Sequence, residues 1–215
     1  MTPVREQRRP TARRELIGLD PASEDVPRQS PSGPSDAVAI RRSLCDPDAF
    51  GAVFERHFEL VHRYAQRRVG PDSADELTAE AFARAFAGRR RYDLALADAR
   101  PWLFGIAAKL VARHWESERR RHLARLRAHT PEGEGQSPGE GAPELVAALD
   151  ELAPHDREAL LLLAWADLSY EEIALALEVP VGTVRSRLAR ARRLLRERLS
   201  PATDLSSRAE GSTSV

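Results

Sequence analysis

From residue 37 onward, apolar side chains recur every three or four positions, the spacing that gathers them on one face of a helix. Phe50, Val53, Phe54, Val61, Tyr64 and Ala65 form the first long stripe. It is entered through Asp46-Pro47-Asp48 and ended by Gly70-Pro71. Ser73 and Glu76 then have the spacing of a capping box, launching a helix that carries Leu77, Ala81, Phe82, Ala85 and Phe86. Its acidic start (Asp72, Asp75, Glu76, Glu80) suits the positive end of a helix dipole. A third helix begins at Pro101, a favoured first position, and runs through Trp102, Leu103, Ile106, Leu110 and Val111 to Arg119-Arg120-Arg121. The period resumes with Leu145, Leu149 and Leu152, then with a Pro154-initiated helix bearing Leu160, Leu163, Ala164 and Trp165.

Residues 168–199 carry the most informative pattern. Ser169 and Glu172 form another capping box, and Ile173, Ala176 and Leu177 give the following helix one apolar face. Val179-Pro180 interrupts it, because proline lacks an N–H and keeps its predecessor out of the α region. The stripe restarts as Val181, Val184, Leu188, Ala191, Leu195 and Leu199. Two short helices around such a break read as a helix-turn-helix, whose second helix enters the DNA major groove. The fold class expected is all-α: two small helical domains joined by a flexible linker, the C-terminal one containing the helix-turn-helix. The boundaries are a disordered tail over 1–36, a first domain over 37–122, an acidic linker over 123–143, a second domain over 144–199 and a polar tail over 200–215. The Pro-, Ser- and Arg-rich start and the Gly/Pro/Glu run HTPEGEGQSPGEGAP lack any apolar period.

Charge sharpens this picture. The chain is formally neutral, with 33 basic and 33 acidic residues, but the balance is local. Residues 181–199 hold seven arginines against Glu197 alone, whereas residues 144–178 hold nine acids against Arg157 alone. A polyanion would therefore meet only the second helix of the pair. At about 100° per residue, Gly182, Ser186, Arg190 and Arg193 lie opposite the apolar seam, flanked by Thr183 and Arg187 on one side and Arg185 and Arg196 on the other. A second basic stretch, residues 109–125, has six cations against two acids, with Tyr92, Trp102 and Trp115 nearby. Two readings of it stay open: a surface on which single-stranded bases stack and phosphates are neutralised, or a core anchor beside a solvated helix end.

No catalytic arrangement accompanies these features. The six histidines include no H-E-x-x-H, and the single cysteine, Cys45, permits neither an intramolecular disulfide nor a multi-Cys zinc site. No Gly-rich phosphate loop or G-x-S-x-G elbow is found. The expectation is a non-enzyme with no cofactor and no metal. No apolar run approaches the roughly 20 residues of a membrane span, so a cytoplasmic protein without a membrane partner is expected.

The segments DPDAFGAVFERHFELVHRYAQRRVG, ADELTAEAFARAF and ARPWLFGIAAKLVARHW, followed by LDELAPHDREALLLLAWADLSYEEIALALEVPVGTVRSRLARARRLL, together resemble the extracytoplasmic-function (ECF) group of bacterial sigma-70 factors. The likeness covers about residues 37–122 (region 2) and 144–199 (region 4). It implies a sigma factor that joins core RNA polymerase, recognises the −35 and −10 promoter elements and promotes melting. The implied −35 contacts are Thr183, Arg185, Ser186, Arg187 and Arg190. Those for the −10 element are Arg89, Arg90, Arg91, Tyr92, Trp102, Lys109 and Arg113. Asp75, Glu76, Leu77, Glu80 and Phe82 would dock on the polymerase, whose β′ clamp helices and β subunit are the implied partners beside promoter DNA. The linker would thread the RNA exit path, and an anti-sigma factor is a further partner common in the group.

Three positions depart from the family pattern. Lys109 stands where Asn often follows Ile-Ala-x, and a lysine cannot both donate and accept as an amide does. Thr78-Ala79-Glu80 replaces a common T-Q-E segment, and Glu178 occupies a turn position that often holds Gly. The competing functions are a free-standing helix-turn-helix regulator, which leaves the first domain without a role, and a protein-interaction module whose arginines meet an acidic partner.

Overall fold

The computed structural model of the chain describes residues 35–127 and 143–199. Every regular element among the described residues is helical: α1 (Asp36–Ser43), α2 (Gly51–Val69), α3 (Pro71–Gly88), α4 (Arg100–Arg127), α5 (Pro143–Asp150), α6 (Pro154–Trp165), α7 (Tyr170–Leu177) and α8 (Val181–Leu199). Short 3-10 turns at Pro47–Phe50 and Arg89–Arg91 complete the set. The expected tail over 1–36 and linker over 123–143 fall mainly outside the described residues. At their edges, α1 already begins at Asp36 and α4 continues to Arg127.

In the N-terminal module, α2, α3 and α4 pack around Val53, Val61, Tyr64, Leu77, Phe82, Leu103, Phe104 and Val111, all buried. Gly70, at φ +80°, turns the chain between α2 and α3, and its N–H returns to the Gln66 carbonyl. Pro71 then opens α3. This corrects one expectation: Ser73 does not cap α3, because proline at N1 starts the helix earlier and leaves Ser73 inside its first turn. The expected box at Ser169 does form. Its Oγ accepts from the Glu172 N–H at 3.2 Å, and the Glu172 carboxylate accepts from the Ser169 N–H at 2.7 Å.

An unexpected buried ionic cluster pins α1. The Asp36 carboxylate accepts from His57 Nε2 at 2.7 Å, from the Ala99 N–H at 2.8 Å and from the Arg56 guanidinium. The Asp36 N–H in turn donates to the Ala97 carbonyl at 3.0 Å, so α1 and the entry to α4 hold each other. Burial alone would raise the Asp36 carboxyl, but the His57 bond, the Ala99 N–H and the charges of His57 and Arg56 outweigh it and hold the group below the ordinary carboxylate range.

The C-terminal module wraps α5, α6 and α7 around α8, burying Leu145, Leu152, Leu160, Leu162, Leu168 and Ile173 against Val184, Leu188, Ala191, Leu195 and Leu199. The two modules also pack on each other, mainly through α4 and α7, into one continuous core.

Candidate nucleic-acid interface

The α7–α8 turn is closed by Glu178, which adopts the left-handed conformation at φ 55°, ψ 44°. The Val179 N–H reaches back to the Ala174 carbonyl at 3.0 Å, the six-to-one bond that terminates a helix through such a residue. The position that often carries glycine therefore does require positive φ, and a Cβ there is strained by roughly 1 kcal/mol. Glu178→Gly is expected to raise the stability of the C-terminal module by about that amount. Urea unfolding followed through Trp165 reads it, and a midpoint that stays or falls would refute the strain.

Downstream of the turn, the Pro180 carbonyl accepts from the Thr183 and Val184 N–H groups, and α8 leaves with its apolar seam inward. Gly182, Arg185, Ser186, Arg190, Arg193 and Arg196 are exposed, while Thr183 and Arg187 sit half-buried at the rim. All five expected −35 residues thus lie along α8, with Arg185, Ser186 and Arg190 exposed and Thr183 and Arg187 half-buried. The structure also sorts the arginines, which helical spacing does not. Arg190 forms a two-point pair with the buried Asp156 of α6, Nε to Oδ2 at 2.9 Å and Nη2 to Oδ1 at 2.8 Å. Arg192 bonds the Tyr170 hydroxyl on α7 at 2.9 Å, and Arg198 pairs with Glu151 at 2.7 Å. These three strap α8 to its neighbours. The Arg190 bond, aided by the charges of Arg190, His155 and Arg187, holds the Asp156 carboxyl below its ordinary range despite burial. Arg190 therefore has a structural partner that competes with any base.

The expected −10 residues divide in the same way. Arg90, Arg91, Lys109 and Arg113 are exposed. Arg89 is instead turned back, its Nη1 on the Phe86 carbonyl at 2.6 Å and its guanidinium over the Phe86 ring. Tyr92 is buried, with its hydroxyl donating to the Leu96 carbonyl at 2.7 Å and its ring 5.0 Å from that of half-buried Trp102. Of the two open readings for this stretch, Tyr92 follows the core one, and Trp102 is half-buried beside it.

On α3, Asp75, Glu76 and Glu80 are exposed, but Leu77 and Phe82 are buried and offer no apolar face. That stripe is consumed by packing against the neighbouring helices. The apolar surface at this place comes from Phe54 of α2, 41% exposed and 4.9 Å from the Phe82 ring. No sequence signal separated Phe54 from its buried neighbours, since all lie on one stripe.

Comparison with known proteins follows the same division. The family model for sigma-70 region 2 matches residues 53–121, and that for sigma-70 region 4 matches residues 143–195. The chain is 39% identical over 160 residues to the ECF RNA polymerase sigma factor SigC of Mycobacterium tuberculosis, covering 73% of this chain and 86% of that one. It is 30% identical over 185 residues to the ECF RNA polymerase sigma-E factor of Escherichia coli, covering 78% and 95% respectively. A solved structure of CnrH in complex with the cytosolic domain of CnrY shares the fold, with a TM-score of 0.55 at 23% identity over 75% of this chain and 95% of that one. Two helical modules in this order, with an arginine-faced helix-turn-helix in the second, place the chain in the ECF group of the sigma-70 family of RNA polymerase sigma factors.

Proposed function

We infer that the chain is a dissociable subunit of RNA polymerase that selects promoters, with α8 reading the −35 duplex and α4 with its preceding loop contacting the −10 strand. The observation that carries this reading is the pairing of both sigma regions, in order, in one chain. A free-standing regulator would need only the second. No bond is made or broken by the chain in this role. It contributes charge, shape and a surface that lowers the cost of unstacking a base. Asp75, Glu76 and Glu80 form the acidic part of the surface proposed for polymerase, and Phe54 takes the apolar role once expected of Leu77 and Phe82. Among the described residues no helix is long and apolar enough to cross a membrane.

The deciding experiment is run-off transcription with purified core polymerase on promoter fragments. Promoter-specific transcripts only when this protein is added are the expected result. Tight operator binding without core, and no transcript with it, would overturn the reading. Within that assay, Arg187→Ala is expected to weaken −35 recognition by roughly 1–3 kcal/mol, the value of one good base contact. Equal transcription from a −35-dependent promoter would remove Arg187 from the interface. Arg190→Ala is a poor substitute for this test, because it also strips Asp156 of its partner.

A further inference from the structure

One carboxylate facing α8 differs from the others. Asp156, in the first turn of α6, is buried, whereas Glu171, Glu197 and Glu151, which pair with Arg185, Arg193 and Arg198, are all exposed. Burying a charge is costly unless a partner is fixed against it. Here Asp156 takes Nε and Nη2 of Arg190, one whole edge of the guanidinium. A base competes with Asp156 for that edge only. The guanidinium carries five N–H donors in a rigid plane, and the pair uses two of them. Both hydrogens of Nη1 and the outer one of Nη2 remain, a second fork with no partner among the described residues. The Arg190 side chain is 48% exposed, one helical turn beyond exposed Ser186.

Resting on the reading of α8 as the −35 helix, we propose that Asp156 is a positioning residue for promoter recognition: it holds Arg190 so that the free fork meets the two acceptors of one guanine in the major groove. A guanine fits this arrangement better than a phosphate for two reasons. The Arg190 bond keeps the Asp156 carboxylate ionised, so the pair is neutral as a unit. A neutral pair displaces few counterions from a phosphate, yet it keeps its donors for a base edge. Exposed Arg185 and Arg196 serve phosphates without such a tether. The second reason is geometric. O6 and N7 of guanine lie in one plane at a spacing that a guanidinium fork matches. An untethered arginine loses rotamer freedom when it presents that fork, whereas one clamped to a buried carboxylate has lost it already on folding.

The test is selection from a duplex library randomised across the −35 segment, bound by the full chain in complex with core polymerase and read by sequencing. The parent is expected to select guanine at one position where the double variant Asp156→Ala/Arg190→Ala, which strands neither charge, shows no preference. Asp156→Ala alone leaves Arg190 present but untethered. It is expected to lose guanine discrimination at that position by about five-fold or more, the lower end of a bidentate contact, and to keep discrimination elsewhere. Its binding to a non-specific duplex is expected to hold or tighten, with a salt dependence steeper by about one phosphate, because a cation has been released. A mere staple between α6 and α8 behaves oppositely: its loss weakens all positions together and leaves the guanine preference intact. That result would overturn the proposal, as would a double variant that still selects the guanine. Asp156→Asn keeps the volume and one acceptor, and it is expected to fall between the parent and Asp156→Ala at the guanine position alone. Circular dichroism checks that each variant is folded, and the asparagine variant decides the matter if the alanine one is not. A parent complex that selects no sequence at all would instead overturn the sigma reading and this inference with it, whereas selection indifferent to Asp156 overturns the tether alone.

Discussion

Asp36→Ala is expected to cost the N-terminal module roughly 3–5 kcal/mol, the loss typical when one partner of a buried ionic cluster is removed. The carboxylate satisfies three donors at once, from Arg56, His57 and the Ala99 backbone. Its removal strands the buried His57 ring and leaves the Ala99 N–H before α4 without its acceptor. Guanidinium unfolding read through Trp102 and Trp115 measures the loss, and Asp36→Asn, which keeps an acceptor for Ala99, is expected to lose less. A change below 1 kcal/mol would show that α1 is not anchored by this group. The pH dependence has a definite sign. Because folding depresses the Asp36 pKa, the stabilisation is complete above the ordinary value of 3.8 and disappears as pH falls through the lower folded value. The parent is therefore expected to show an acid limb below about pH 4 that Asp36→Ala has lost.

Leu188→Ala is expected to have the larger functional consequence. Leu188 is fully buried at the middle of the α8 seam, and a Leu-to-Ala truncation in such a site costs roughly 2–5 kcal/mol in transfer and cavity terms. A module of about fifty to sixty residues has only a few kcal/mol of stability to lose. The expected result is an unfolded C-terminal module beside a folded N-terminal one, seen as fast amide exchange confined to residues 143–199. Transcription from −35-dependent promoters is expected to disappear with it. Protected amides throughout α8 would mean that the module draws more stability from the α4 contact than its own core supplies.

The Arg190–Asp156 pair shows why the direction of an arginine cannot be taken from helical spacing alone. Placing residues about 100° apart puts Arg190 outward, and it is indeed 48% exposed. Yet a long side chain reaches sideways over its neighbours, and its guanidinium meets an aspartate 34 residues earlier in the chain. Leu77 and Phe82 show the converse. A helix with an acidic edge and an apolar stripe reads equally well as a docking face or as a core element, and the three-helix packing of α2, α3 and α4 chose the second.

What the amino-acid order determined by itself is local: helices where apolar residues recur at three and four, the box at Ser169–Glu172, the break at Val179-Pro180, and the segregation of arginine onto α8. Each depends on residues a few positions apart, and together they carry the family likeness. The tertiary structure alone decided the pairings at long separation: Asp36 with His57, Arg190 with Asp156, Arg68 with Glu158, and Lys109 with Glu178. Those contacts depend on which helices pack together and at what angle, quantities that no short-range period encodes. Glu178 joins the two levels. Its sequence position marked it as standing where a turn often holds glycine, and the structure supplied both its positive φ and, through the packing of α7 on α4, the cation that faces it.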